Sequence, residues 1–283
     1  MDTATNGFIL TATLTPAGLQ ATPYHATSLA DAAQYEPPGV YTVTRTYHRT
    51  SALKFSRHLK RLEQSARLRE IDLTLDRAAW QDGLRAALRQ LIDQAGYAES
   101  RFRITIPADT PETAYFAIEP LNPVPAAVKA SGVHVRAFPM QRQNPRAKDT
   151  RWMQARAGLQ AQLNGSYEGL LTDGDGALLE GLGSNFYAIL AGELRTAHDG
   201  ILEGISRRIV MKVAPDVLPV REQPVRLADL PELAEAFLTS SSRGVVPIVQ
   251  IDDQVIGDGV PGPLTQALSA RYDAWAEAHL KPI

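Results

Sequence analysis

Leu179-Glu180-Gly181-Leu182-Gly183-Ser184-Asn185 is the stretch from which the rest of the chain can be read. It places a carboxylate at the end of a short apolar strand, Ala177-Leu178-Leu179, which follows the tight turn Asp173-Gly174-Asp175-Gly176. Gly181 and Gly183 allow unusual backbone geometry or close approach by a ligand. A strand and a helix start flank this stretch on the downstream side, and a helix start precedes it.

Upstream, Lys148 lies in Arg146-Ala147-Lys148-Asp149-Thr150, between a polar, proline-containing loop and the beginning of a helix. Downstream, Gly204-Ile205-Ser206-Arg207 opens another helix, with Ser206 at its cap or in its first turn. The unpaired amides of such a helix start suit a phosphate dianion. Ser240-Ser241-Ser242 follows the apolar strand Ala236-Phe237-Leu238 and offers hydroxyls and amides for the same purpose, or forms a polar turn. Far upstream, Arg61 sits in His58-Leu59-Lys60-Arg61-Leu62, and its planar fork suits phosphate. Taken singly, each is ordinary: an exposed lysine, a strand-end acid, a helix cap, a solvated basic cluster.

The remaining pattern is mixed. Val40 to Tyr47 is rich in β-branched and aromatic residues and reads as a strand. Phe55, Leu59, Leu62 and Ala66 recur at helical spacing, so a helix is expected from Phe55 to about Leu68. A second helix carries Trp80, Leu84, Leu88 and Leu91 on one face and ends near Gly96. Arg101–Ile106 and Ala114–Ile118 read as paired strands. Proline density then rises over Glu119-Pro120-Leu121-Asn122-Pro123-Val124-Pro125, which predicts a stiff linker. Beyond it come strands at Val133–Ala137, Glu168–Thr172, Asn185–Leu190, Leu194–Thr196, Ala236–Thr239 and Val245–Ile251. Helices are expected from Trp152 to Leu163, Ser206 to Val213 and Pro263 to about Ala278. The reading is α+β in two domains, 1–119 and 129–283, joined by a linker at 120–128, with Lys148 in the second.

Composition narrows the function classes. The 283 residues suffice for a sizeable core, and 44% apolar with 21% charged residues fits a globular protein. A formal charge of -2 gives no reason to expect nucleic acid or an anionic membrane as partner. Without cysteine, thiolate metal sites and disulfides are excluded, which fits a cytoplasmic protein. The six histidines show no ligand spacing, so no metal is expected. No apolar run approaches the roughly 20 residues of a membrane span, and the N-terminus does not read as a signal peptide. Dinucleotide, Walker and Gly-x-Ser-x-Gly motifs are absent.

A lysine amine, a carboxylate, an arginine and a helix N-terminus are together what pyridoxal 5′-phosphate (PLP) requires. In their order and local context these segments resemble the class IV aminotransferases, the fold-type IV PLP enzymes, over about Gly39 to Thr265. Gly39-Val40-Tyr41 through Arg45 and Tyr47 is similar to the family's pocket-lining strand. His58-Leu59-Lys60-Arg61-Leu62 resembles the helix bearing the phosphate arginine. Glu180-Gly181 with Ser184-Asn185-Phe186 matches the Glu-Gly…Asn-Phe signature. Gly204-Ile205-Ser206-Arg207 resembles the Gly-Ile-Thr-Arg phosphate cup, and Gly262-Pro263-Leu264-Thr265 resembles a segment near the family's C-terminus.

The resemblance implies a D-amino acid aminotransferase-like fold in which Lys148 is the catalytic lysine joined to PLP. It gives Glu180 the pyridine nitrogen, and Arg61, Ile205, Ser206 and Ser241 the phosphate. Tyr41, Arg45, Arg103 and Ser242 become the candidates for recognising substrate. The activity implied is amino-group transfer between an amino acid and a 2-oxo acid, in a homodimer. The alternative is an aminodeoxychorismate lyase-like elimination of pyruvate. Arg151 and Trp152 depart from the residues usual after the lysine, and Ser242-Arg243-Gly244 replaces a pattern of small residues and glutamate.

Overall fold

Alternating apolar residues in short runs, punctuated by glycine and proline turns, build two compact units. The computed structural model describes residues 7–73 and 77–283, with the side chain of Arg77 left out. The first unit extends to Asn122 and includes Ala147–Met153 and His279–Ile283; the second comprises Pro123–Arg146 and Gln154–Ala278.

In the first unit the strands are β1 (Leu10–Thr15), β2 (Gly18–Ala21), β3 (Gly39–Arg45), β4 (Ser51–Leu53), β5 (Ser100–Pro107) and β6 (Ala114–Pro120). Its helices are α1 (Leu29–Ala32), α2 (Phe55–Leu68) and α3 (Arg77–Ala95). Five strands form an antiparallel sheet in the order β2-β1-β6-β5-β3. The helical spacing on α2 is realised as a buried stripe of Phe55, Leu59, Leu62 and Ala66, which joins Leu84, Leu88 and Leu91 of α3 and Phe102, Ile104 and Phe116 of the sheet in one core. The strand reading over Val40–Tyr47 and the paired strands at Arg101–Ile106 and Ala114–Ile118 are all present. The strands β1 and β2, ahead of Val40, were not anticipated.

Close approach of two backbones fixes the start of β3. A Cβ on Gly39 would lie 2.0 Å from the Ile106 carbonyl oxygen of β5, and backbone cannot yield as a flexible side chain does. Gly39→Ala is therefore expected to lower the stability of this unit by about 2 kcal/mol or more, read as a fall in the urea midpoint. An unchanged midpoint would show that the strands part at no cost.

The second unit contains α4 (Ala126–Ser131), β7 (Val133–Phe138), most of α5 (Thr150–Gln160), β8 (Glu168–Thr172), β9 (Leu178–Gly181), β10 (Asn185–Leu190) and β11 (Glu193–Arg195). Next come α6 (Ile205–Val213), β12 (Val220–Arg221), β13 (Glu235–Ser240), β14 (Gly244–Ile251), β15 (Gln254–Val255) and α7 (Pro263–Glu277). The chain ends in β16 (Leu280–Pro282), which pairs with β4 in the first unit. The larger sheet runs β12-β11-β10-β13-β14-β7-β8-β9, and β9 returns to β10 through the pair Asn185↔Glu180. That pairing closes six strands into a barrel around Val135, Leu170, Leu178, Phe186, Leu238 and Val246.

Two expectations are revised. The linker expected at 120–128 is shorter: β6 ends at Pro120 and α4 begins at Ala126, directly after Pro125 with its φ of -56°. Lys148, expected with the second domain, groups with the first unit. The reason is local bonding, since Val40 and Asp149 form a β-bridge and the Gly39 amide donates to Thr150 Oγ1 at 2.9 Å.

Candidate active site

The segment carrying Lys148 is held by its main chain. Its carbonyl accepts from the Tyr41 amide at 2.9 Å, and its own amide donates to Ser65 Oγ at 3.1 Å. Asp149 then caps the start of α5, accepting from the Trp152 amide and pairing with Arg69 at 3.2 Å and with Arg151 at 3.1 Å. This gives Arg151 a definite place, as half of an ion pair that braces the helix start. With the backbone pinned, the Lys148 ammonium lies 4.8 Å from the centre of the Tyr41 ring, a cation–π contact.

Tyr41 is 1% exposed, and its hydroxyl has no hydrogen-bond partner among the described residues. Nearby on α2, Arg61 Nη2 donates to Thr42 Oγ1 at 3.1 Å, and Thr42 Oγ1 lies 2.9 Å from His58 Nδ1. His58 is fully buried, and its Nε2 is also unpartnered among the described residues. Burial, then the charges of Arg61 and Lys148, hold this imidazole well below the ordinary histidine range, so it is neutral.

The sign of that shift gives a prediction. An unfolded His58 takes up a proton near its ordinary value of 6.5, whereas the folded one resists. Stability due to His58 is complete above that value and is lost as pH falls below it. Denaturant unfolding of His58→Gln should show a smaller loss between pH 7 and pH 5 than the parent protein shows; equal losses would show that His58 does not titrate in this way.

In the second unit Glu180 ends β9 and is 3% exposed. Its Oε2 accepts from the Leu202 amide at 2.9 Å, and Oε1 pairs with Arg142 Nη1 at 3.2 Å. The stretch after it turns tightly: a Cβ on Gly181 would meet Ser184 Oγ at 2.2 Å and Glu168 Oε1 at 2.7 Å. Asn185 ties this stretch to the next motif, donating through Nδ2 to the Leu202 carbonyl at 2.8 Å. Gly204 caps α6 and packs so closely that a Cβ would lie 2.2 Å from Asn185 Oδ1. Ile205 and Ser206, the first two residues of α6, are buried, and the Ser206 hydroxyl lies 2.8 Å from Tyr272 Oη. The amides of a helix's first turn have no intrahelical acceptor and face an anion favourably. At α7 that role is already filled, because the Glu235 carboxylate accepts from the Leu264 and Thr265 amides at 3.0 and 2.6 Å.

Ser241 and Ser242 sit half-buried in the turn from β13 to β14. The two arginines put forward for substrate each form an ion pair. Arg103, 2% exposed, pairs with Glu36 through Nη2 at 2.5 Å and Nε at 3.1 Å, and donates to the Leu29 carbonyl. Arg45 pairs with Glu99 at 2.6 Å and stacks on Tyr47. Both members of the Arg103–Glu36 pair are buried, whereas Glu99 beside Arg45 is half-buried. The sequence reading missed Arg142, His58, Glu36 and Glu168 as partners of the motif residues. Among the described residues no group of histidine, aspartate and glutamate could hold a metal ion, and no helix is long and apolar enough to cross a membrane.

The first unit thus holds a lysine with a pinned backbone over a buried tyrosine ring, and the second, a mixed barrel, holds a paired buried acid and a glycine-capped helix. The profile for amino-transferase class IV matches residues 39–251, and the chain belongs to that family. A probable branched-chain-amino-acid aminotransferase of Thermotoga maritima is 29% identical over 242 residues, 83% of this chain and 85% of that one. D-alanine aminotransferase of Staphylococcus aureus is 34% identical over 103 residues, covering 35% of this chain and 36% of that one. The chain aligns with only about half the length of the first two curated relatives.

A crystal structure from Thermotoga maritima, described as a probable branched-chain amino acid aminotransferase, superposes with a TM-score of 0.76 at 27% identity. It covers 94% of this chain and 96% of that one. A Thermus branched-chain enzyme solved with pyridoxamine 5′-phosphate has a TM-score of 0.77 at 21% identity, covering 96% and 98%. The α+β, fold-type IV architecture expected from the sequence is the one these structures share. These relatives and structures are named as aminotransferases, which favours transamination over the lyase alternative.

Proposed function

We propose that the protein is a PLP-dependent aminotransferase that moves an amino group between an amino acid and a 2-oxo acid. The observation that supports this most is the environment of Lys148, whose backbone is pinned on both sides while its amine rests over the ring of the buried Tyr41. The residues suit the cofactor: orphaned donors at Tyr41 and His58, a glycine at 204 where any Cβ would collide, and the open first turn of α6.

When bound, PLP supplies an aldehyde and an electron-withdrawing ring that stabilises negative charge at the substrate α-carbon. Lys148 Nζ takes the α-proton of the incoming amino acid and returns one in the reverse half-reaction. Glu180 supplies the carboxylate for the pyridine nitrogen, and Arg142 and the Leu202 amide hold that carboxylate in place. Arg61, Ser206, Ser241 and the amide of Ile205 bind the phosphate. Tyr41 and Ser242 remain as substrate contacts; Arg45 and Arg103 act as structural pairs.

The relatives' names extend the proposal to a branched-chain amino acid or D-alanine as donor, the family resemblance extends it to a homodimer, and the absence of cysteine fits a cytoplasmic location. The test is a panel of L- and D-amino acids offered with 2-oxoglutarate or pyruvate to the PLP-loaded protein. Transfer of the amino group to the oxo acid is expected. Pyruvate release from aminodeoxychorismate without any acceptor, and no transfer from any donor, would replace this reading with the lyase.

A further inference from the structure

Glu168 is not among the residues given a part in cofactor binding, yet its carboxylate is spent on two motifs at once. It is 5% exposed on β8. Oε1 accepts from the Gly183 amide and the Ser184 hydroxyl, both at 2.8 Å, which fixes the loop that follows Glu180. Oε2 lies 2.5 Å from Arg243 Nη1. Arg243 in turn donates through Nε to Ser240 Oγ at 3.0 Å and lies 5.5 Å from the centre of the Tyr167 ring. The side chain of Arg243 therefore spans the turn that presents Ser241 and Ser242 and is anchored at its far end by Glu168.

We propose that Glu168 and Arg243 are positioning residues that hold the Ser240–Ser242 turn in the conformation that binds the cofactor phosphate. The inference rests on the PLP reading above. Two features favour it over a purely structural pair. Arg243 belongs to the Ser242-Arg243-Gly244 segment, which departs from the family's pattern of small residues and glutamate, and it gives the turn a tether of its own. The tether also runs to the loop after Glu180, so one buried carboxylate sets the position of both the acid-bearing loop and the serine turn. Burial alone would push the Glu168 carboxyl up, but Arg243 and the donors at Gly183 and Ser184 outweigh it and hold the group below the usual carboxylate range.

The test uses the full chain, Glu168→Gln, Arg243→Met and the double variant, each stripped and titrated with PLP and with pyridoxal, which lacks the phosphate. Either single change leaves one charge of a buried pair uncompensated and should lower stability; the double change removes both charges and should recover much of it. Phosphate positioning predicts that the recovered double variant still binds PLP about tenfold more weakly than the parent, with pyridoxal affinity unchanged. If PLP affinity returns together with stability, or if PLP and pyridoxal weaken equally, the positioning role is overturned. A parent protein that binds neither compound would instead overturn the PLP reading itself.

Discussion

Lys148→Ala is expected to fold and to take up PLP, yet to transfer amino groups at least about a thousandfold more slowly than the parent. Folding is spared because the local structure uses the main chain of Lys148. Its carbonyl meets the Tyr41 amide and its amide meets Ser65 Oγ, and both bonds survive truncation at Cβ. Uptake is spared because the proposal assigns Arg61, Ser206, Ser241 and the start of α6 to the phosphate, not the aldehyde. What disappears is the one amine in the proposal that can carry the α-proton, and no neighbouring side chain substitutes for it. His58 is neutral but fully buried. Borohydride reduction followed by peptide mapping should label residue 148 in the parent and lose that label in the variant. Activity within tenfold of the parent would remove Lys148 from the mechanism.

Glu180→Gln is expected to cut turnover by about a hundredfold while leaving phosphate-directed binding largely intact. The amide has the same shape and can still accept from the Leu202 amide, so the end of β9 should persist. It cannot keep a pyridine nitrogen protonated, and the ring becomes a poorer acceptor of negative charge. The loss should fall on kcat, with a shift in the cofactor's absorbance that a remote structural change would not produce. Opposite Arg142 the carboxylate charge also disappears, so some stability should go with it, of the order of 3 kcal/mol for a buried pair. Arg142→Met in the same background should restore stability but not turnover. Recovery of both would mean that Glu180 serves only to balance Arg142.

Local pattern was enough for most of the elements. The 3.6-residue recurrence of Phe55, Leu59, Leu62 and Ala66 specifies α2 because the same four side chains must share a buried stripe. Glycine before Ile205-Ser206 marks a helix start because that is where a Cβ has no room. In β1, threonines alternate with Leu10, Ala12 and Leu14, but the strand is only half covered and lacks the long apolar run that marked the others. The helix α4 was hidden by the prolines before it, which signal rigidity without saying whether a turn of helix follows.

Charge pairing was illegible. Arg142 meets Glu180 from 38 positions away, and Arg103 meets Glu36 from 67. Nothing in the neighbourhood of either arginine encodes the partner. Arg45 and Arg103 therefore looked available for a carboxylate until the fold showed each already matched by one. The same gap concealed Glu168, which reads as an ordinary strand residue until β8 sets it against Gly183, Ser184 and Arg243.

Glu180 shares with Asn185 the lone residue pairing by which β9 returns to β10. A cylinder assembled from six staves meets itself at that joint, so its girth fixes where the acid can stand. Widening the wall anywhere, by a bulky interior side chain or an added residue in a distant stave, would draw the joint apart and carry the carboxylate with it. Tolerance to change in the barrel interior should accordingly track how far each substitution strains that joint, and not how near it lies to the acid in sequence.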